Sequence, residues 1–188
     1  EMGADTREPP FFFSKPADAL VPGGGDVAYP PATENLQHEV ELVVALASGG
    51  ADIDPEQALD CVYGYAVGID LTRRDLQQRA KEKGHPWDMG KGFDQSAPIA
   101  DIQPIAAVGH PTHGSIWLKL NDQLRQHGDL DQMSWKVAEI IAKLSAYVAL
   151  APGDLVFTGT PAGVSTLRRG DLLEAGIAGV GELKVRIV

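Results

Sequence analysis

The stretch HEVELVVAL, His38 to Leu46, places two glutamates, Glu39 and Glu41, at the head of an apolar run. A run this dense in valine and leucine reads as a buried strand. Side chains alternate along a strand, so Glu39 and Glu41 share a face, with roughly 6.5–7 Å between their backbones. Carboxylates that close repel, and one pKa rises unless a positive charge sits between them. A divalent cation with oxygen ligands, such as Mg²⁺ or Mn²⁺, meets that need. An ordinary strand with its polar face in solvent meets the pattern equally well. His38 then points the other way, as a core-edge or interface residue.

The surrounding chain has 188 residues, 44% of them apolar, which suits one domain with a real core, spanning 1–188. Its formal charge of -10 repels nucleic acid and anionic membranes, so neither is expected as a partner. No apolar run reaches the ~18 residues of a membrane span. The one cysteine, Cys61, excludes an internal disulfide and reads as a small buried residue in a reducing cytosol, hence a cytoplasmic protein.

The 21 glycines and 13 prolines predict many short elements joined by tight turns. FFFSKP reads as a short buried strand stopped by Pro16, and VPGGGDVAYPP as a loop. NLQHEVELVVAL and YGYAVGIDLT read as strands. DIDPEQALDCV starts a short helix, with Asp54 as N-cap and Pro55 in its first turn. TRRDLQQRAKEKG is a helix ended by Gly84. HPWDMGKGFDQSAPI reads as a long polar loop. GSIWLKLND is a half-buried strand on Ile116, Leu118 and Leu120, and Asn121-Asp122 turns it into a hairpin. SWKVAEIIAKLSAYVAL is a helix with Ser134 as N-cap and Val137, Ile140, Ile141, Leu144 and Val148 on one face. The tail reads as short strands and glycine turns. Strands dominate without a βαβ repeat, so the fold class is α+β and β-rich. The usual nucleotide-binding glycine loops are absent.

A third oxygen ligand decides between the two readings of the glutamates. Asp70, at the end of YGYAVGID, stands at a strand-to-helix junction, where it serves either as a ligand or as an N-cap, a task Thr72 also suits. Arg74 and Gln77 follow on one helical face. Arg74 suits either a two-pronged grip on a substrate carboxylate or a surface ion pair. Lys15 either approaches the same pocket or is a solvated strand-end lysine. Trp87 is a candidate to line the site. Trp117 and Trp135 read as packing anchors, and His85, His110, His113 and His127 as surface residues.

HEVELVVAL, GYAVGIDLTRRDLQ, KGFDQSAPI and GDLVFTGTPAGV occur in this order and at these intervals. Together they resemble the fumarylacetoacetate hydrolase family over nearly the whole chain, with the small bacterial acylpyruvate and fumarylpyruvate hydrolases the nearest in look. The resemblance implies a mixed β-sandwich roll with flanking helices, assembled as a homodimer. It makes Glu39, Glu41 and Asp70 the ligands of Mg²⁺ or Mn²⁺, with Ca²⁺ as a substitute in a crystal. It makes Arg74, Gln77, Gly159 and Thr160 substrate-binding residues, and Lys91 the active-site lysine. The TGTP loop carries a glycine at 159 that lets backbone amides approach an anion.

Residues 1–8 match the end of a mobile lid segment in that family. Glu1 then matches the glutamate of a His-x-x-Glu pair, whose histidine falls three residues ahead of the first residue given. The implied substrate is a small anionic 2,4-diketo acid, with fumarylpyruvate leading, cleaved at a C–C bond to fumarate and pyruvate in aromatic catabolism. Water activated by Glu1 attacks the distal carbonyl and Lys91 stabilises the oxyanion. Oxaloacetate decarboxylation, or isomerisation or decarboxylation of another 2-oxo acid, fits the same ligands. A non-catalytic relative that binds a metal or metabolite is the rival from another class.

Overall fold

The computed structural model describes residues 8–188, so Glu1 and most of the expected lid segment lie outside the described residues. In chain order the strands are β1 Leu20–Pro22, β2 Gly25–Val27, β3 Leu36–Gln37, β4 Val40–Leu46, β5 Val62–Ile69, β6 Thr72–Arg73, β7 Ala97–Ile99, β8 Gln103–Pro104, β9 Ser115–Leu120, β10 Gln123–Asp129, β11 Leu155–Phe157, β12 Leu172–Ile177 and β13 Gly181–Ile187. The α-helices are α1 Arg74–Lys83, α2 Asp88–Lys91, α3 Ile105–Val108 and α4 Val137–Ser145.

Two sheets carry the fold. The first runs β1-β7-β5-β4-β11, with β8 also paired to β5; the second runs β10-β9-β12-β13-β2. Strands β3 and β6 form a small ladder of their own. The pairs β1–β7 and β13–β2 are parallel, while β4–β5, β9–β10 and β12–β13 are antiparallel. The architecture is therefore mixed and sheet-rich, as the element order predicts. No helix among the described residues is long and apolar enough to cross a membrane.

The main core lies between the sheets. Val40, Leu42 and Val44 of β4 and Tyr65, Val67 and Ile69 of β5 meet Leu118, Leu173, Val185 and Ile187 of the second sheet. The opposite face of β4 and β5 is covered too: Val43 and Ala66 pack with Ile99, Leu155 and Phe157 in a smaller cluster. Strand β4 is thus buried at every position. Glu39 and Glu41 belong to this second face, away from the main core.

Several local expectations hold. Asn121 and Asp122 both take left-handed backbone (φ 50 and 63), as a tight hairpin requires. Helix α1 ends at Gly84, and Ile116, Leu118 and Leu120 are buried. Cys61 is buried, and His85, His110, His113 and His127 are exposed.

Others are corrected. FFFSKP forms no strand: Phe11 and Phe13 are exposed and pack their rings on Trp87, and Pro16 has no N–H to give a ladder. VPGGGDVAYPP holds most of β1 and all of β2, which lie at the edges of the first and second sheets, paired to β7 and β13. The expected helix after Asp54 is a turn and a 3₁₀ helix, Ala58–Cys61, although Asp54 Oδ1 does accept from Glu56 N–H. The polar loop HPWDMGKGFDQSAPI holds α2 and β7. Helix α4 starts at Val137, not after Ser134; Glu139 Oε2 accepts from the Lys136 N–H, and Val148 is exposed beyond its end.

Candidate metal and substrate site

The ladder between β4 and β5 builds the site. Val40 pairs with Ile69 and Glu41 with Gly68, so Glu39 stands opposite Asp70, and the Asp70 N–H donates to the Glu39 carbonyl at 2.8 Å. Residues two apart share a face. One oxygen from each of Glu39, Glu41 and Asp70 therefore falls within 4.8 Å of the others, and all three residues are buried. Gly68 leaves room on this face: a Cβ there would meet Val43 Cγ2 at 2.5 Å and Phe157 Cε1 at 2.6 Å.

Three cations face the three carboxylates. Lys91, the last residue of α2, is only 2% exposed, and its Nζ donates to Glu39 Oε2 at 2.7 Å, Asp70 Oδ2 at 2.6 Å and Thr72 Oγ1 at 2.7 Å. Lys15 Nζ lies 2.8 Å from Asp70 Oδ1 and donates to the carbonyls of Leu71, Lys91 and Ser96. The irregular segment before β1 is thereby pinned into the site. Arg74 Nη2 meets Glu39 Oε1 at 2.5 Å, while its Nη1 and Nε donate to Gln77 Oε1 and Gln37 Oε1. Arg74 is neither a surface residue nor a free one: its guanidinium is already bound to Glu39 and to Gln77.

The balance is uneven. Burial first, then the charges of Asp70 and Glu39, push Glu41 up to about 8. Burial would raise Asp70 as well, but the Lys15 and Lys91 ammonium groups outweigh it and hold Asp70 below its ordinary value. Burial would lower Lys91, yet Asp70 and Glu39 hold it above. Lys15 is lowered by burial, which its bond to Asp70 offsets only in part. A buried carboxylate cluster that leaves one member short of positive charge fits a hard divalent ion.

The TGTP loop closes the far side. Gly159 takes left-handed backbone (φ 93), and its N–H donates to Glu41 Oε2 at 2.7 Å. The anion approached by this amide is the protein's own carboxylate. Thr160 Oγ1 donates to the Val40 carbonyl at 2.8 Å and accepts from Gln126 Nε2, so its proton is committed inside the chain. On the open side, Phe11, Phe13, Pro86 and Trp87 line a cleft of about 330 Å³, and the Phe13 ring centre is 5.0 Å from Lys91 Nζ.

The structure thus brings Glu39, Glu41, Asp70, Arg74, Gln77, Lys91 and Gly159 together, with Thr160 beside them; Glu1 lies outside the described residues. His38, expected at a core edge, is fully buried, its ring nitrogens 2.8 Å from Gln126 Oε1 and from Ser165 Oγ. Gln126 itself was not a sequence candidate. Its only signal is a polar residue between Leu124 and Leu130 in a hairpin, which reads as exposed.

A family model described as "Fumarylacetoacetate (FAA) hydrolase C-terminal" matches residues 1–188. A fumarylpyruvate hydrolase from Ralstonia sp is 42% identical over 180 residues, 96% of this chain and 93% of the relative. A mitochondrial oxaloacetate tautomerase from Mus musculus is 39% identical over 187 residues, covering 100% of this chain and 85% of the relative. The crystal structure of fumarylpyruvate hydrolase from Pseudomonas aeruginosa in complex with Mn²⁺ and pyruvate superposes with a TM-score of 0.96. It is 53% identical and covers 100% of this chain and 82% of that one.

Proposed function

The chain belongs to the fumarylacetoacetate hydrolase family, and from that membership we propose that it is a divalent-metal-dependent hydrolase of 3-acylpyruvates, cleaving fumarylpyruvate to fumarate and pyruvate. The observation that carries this reading is the convergence of Glu39, Glu41 and Asp70 on one point. The Mn²⁺ and pyruvate in the Pseudomonas aeruginosa relative support it. The reading takes residues 1–188 as one catalytic domain, Mg²⁺ or Mn²⁺ as the ion, a homodimer as the assembly, the cytoplasm as the compartment and aromatic catabolism as the pathway.

Glu39, Glu41 and Asp70 hold the ion, which when bound supplies Lewis acidity and a template for a chelating 2-oxo acid. Arg74 and Gln77 bind the substrate carboxylate from the α1 face. Lys91 hydrogen-bonds the oxygen that gains negative charge when water adds to the distal carbonyl. Its Nζ now spends all three N–H groups on Glu39, Asp70 and Thr72, so one of these bonds is released when substrate arrives. Lys15 keeps Asp70 ionised throughout. The Phe11–Phe13–Trp87 cleft takes the acyl arm and excludes water from it. Glu1 is the general base of this scheme, with the histidine that the family resemblance places before it.

The test follows the ultraviolet absorbance of fumarylpyruvate with Mg²⁺ and again with EDTA. Rapid loss that EDTA abolishes is the expected result; no loss in either condition sinks the fumarylpyruvate assignment and moves oxaloacetate to the front. The similarity to an oxaloacetate tautomerase favours one second reading, in which the same site moves a proton between the keto and enol forms of oxaloacetate. Enol decay without release of pyruvate identifies it.

A further inference from the structure

Gln126 is 0% exposed, in a strand whose neighbouring positions Arg125 and His127 face solvent. The register of β10 against β9 slips between Leu124 and Gln126, and this bulge turns the amide inward. Each hydrogen-bonding position of the amide is then used. Oε1 accepts from the Val40 N–H at 3.1 Å and from His38 Nδ1 at 2.8 Å. Nε2 donates to Thr160 Oγ1 at 2.7 Å and to the Pro161 carbonyl at 2.8 Å. A backbone N–H only donates and a carbonyl only accepts, so the amide has one orientation, and His38 Nδ1 carries a proton.

This one side chain joins the second sheet to two pieces of the site. One is the head of β4, between Glu39 and Glu41. The other is the loop whose Gly159 N–H holds Glu41. Gly163 fits the same junction: a Cβ there would meet the Arg125 carbonyl oxygen at 2.0 Å, so the loop lies directly on the bulge. A fully satisfied buried amide rigidifies what it bridges.

We propose that Gln126 is a positioning residue for metal binding: its amide fixes the TGTP loop to β4, so that the Gly159 N–H holds Glu41 in its ligating orientation. The proposal rests on the reading of Glu39, Glu41 and Asp70 as metal ligands. Gln126 touches neither ion nor substrate. Its loss relaxes the loop, frees the Glu41 carboxylate to rotate and weakens the ion's hold.

The experiment measures Mn²⁺ dissociation constants of the metal-free full chain by calorimetry, with the Mn²⁺ resonance spectrum and the melting temperature of the metal-free form alongside. Gln126→Met keeps the shape and removes all four bonds. Ser165→Ala breaks the far end of the same network at His38 and leaves the Gln126 amide on the loop. Gln126→Met is expected to weaken Mn²⁺ binding by about 10–100-fold, while Ser165→Ala stays within about twofold at a comparable loss of melting temperature. Wild-type Mn²⁺ affinity in Gln126→Met, with only the melting temperature lowered, overturns the proposal. If Gln126→Met does not fold, Thr160→Val removes the hydroxyl between Gln126 and the Val40 carbonyl and carries the same two outcomes. Glu41→Gln separates the premise from the proposal. Binding unchanged in Glu41→Gln overturns the ligand reading and the proposal with it; binding lost in Glu41→Gln but kept in Gln126→Met overturns the proposal alone.

Discussion

Strands β4 and β13 are both seven residues long and have opposite relations to charge. In β13, Leu183, Val185 and Ile187 are buried while Glu182, Lys184 and Arg186 face solvent, so its charges need nothing from the rest of the chain. In β4 every residue is buried, Glu41 included, with Glu39 buried just ahead of it. Its two carboxylates take Lys91, Arg74 and the Gly159 amide as partners, each from a different element. A charge placed in water is a local matter, whereas a charge placed inside recruits distant chain.

That contrast is sharpest when one cation is removed from each setting, the buried Lys91 and the exposed Lys184. Lys91→Met leaves Glu39 and Asp70 buried without their shared partner, and is expected to cost about 3–5 kcal/mol in urea unfolding of the metal-free protein, together with the hydrolytic activity. A loss under about 1 kcal/mol would mean that water reaches these carboxylates.

Proton linkage probes the buried side alone. Glu41 titrates near 8 when folded against 4.5 otherwise. Its protonated form therefore contributes stability that is complete below pH 4.5 and lost as pH rises through about 8 in the metal-free protein. Metal binding runs the other way, because the proton must leave first. Mn²⁺ affinity measured by calorimetry is expected to climb by up to about tenfold per pH unit and to level off above about pH 8. A flat profile from pH 6 to 9 contradicts the raised value.

Two glycines compare the sheets by packing. A Cβ on Gly68 meets Val43 and Phe157, and one on Gly176 meets Trp117 at 2.6 Å. Val43 is fully buried, while Trp117 is only partly buried and borders an open cleft. Gly68→Ala is expected to cost about 1–3 kcal/mol and Gly176→Ala less than half of that, both by thermal denaturation. Equal losses would erase the difference. At the bottom of the scale, Lys184→Met breaks only an exposed pair with Glu174, and is expected to change stability by about 0.5 kcal/mol or less.

The same contrast sets what could be read from the sequence. The alternation of GSIWLKL and the turn residues Asn121-Asp122 state their roles locally, and so does the E-x-E spacing of Glu39 and Glu41. Whether that pair faced water or the interior depended on what covers the outer face of the first sheet, which no local pattern reports. Lys91 sits in a stretch that reads as loop, and nothing local reports that it ends a short helix and is buried against Asp70. FFFSKP misleads because three adjacent phenylalanines imitate a strand, although that segment serves to insert Lys15. Gln126 and His38 look like ordinary polar residues until the bulge in β10 turns the amide inward.

The bond from Gly159 to Glu41 spans 118 residues of sequence, and that from Lys91 to Glu39 spans 52. Closing such loops costs chain entropy before the contact repays it, so contacts of this range are disfavoured until nearer elements have paired. The β4–β5 pairing alone brings Glu39, Glu41 and Asp70 to one end of the ladder, and the carboxylate set takes its final orientation only once the strand before the TGTP loop has docked and the Gly159 N–H holds Glu41. An ion that binds this set therefore stabilises the finished chain and not the folding transition state. Mn²⁺ added in stopped-flow experiments is then expected to slow unfolding and to leave the folding rate unchanged, which would make ion occupancy a timer on how long the native state lasts; equal acceleration of folding contradicts this.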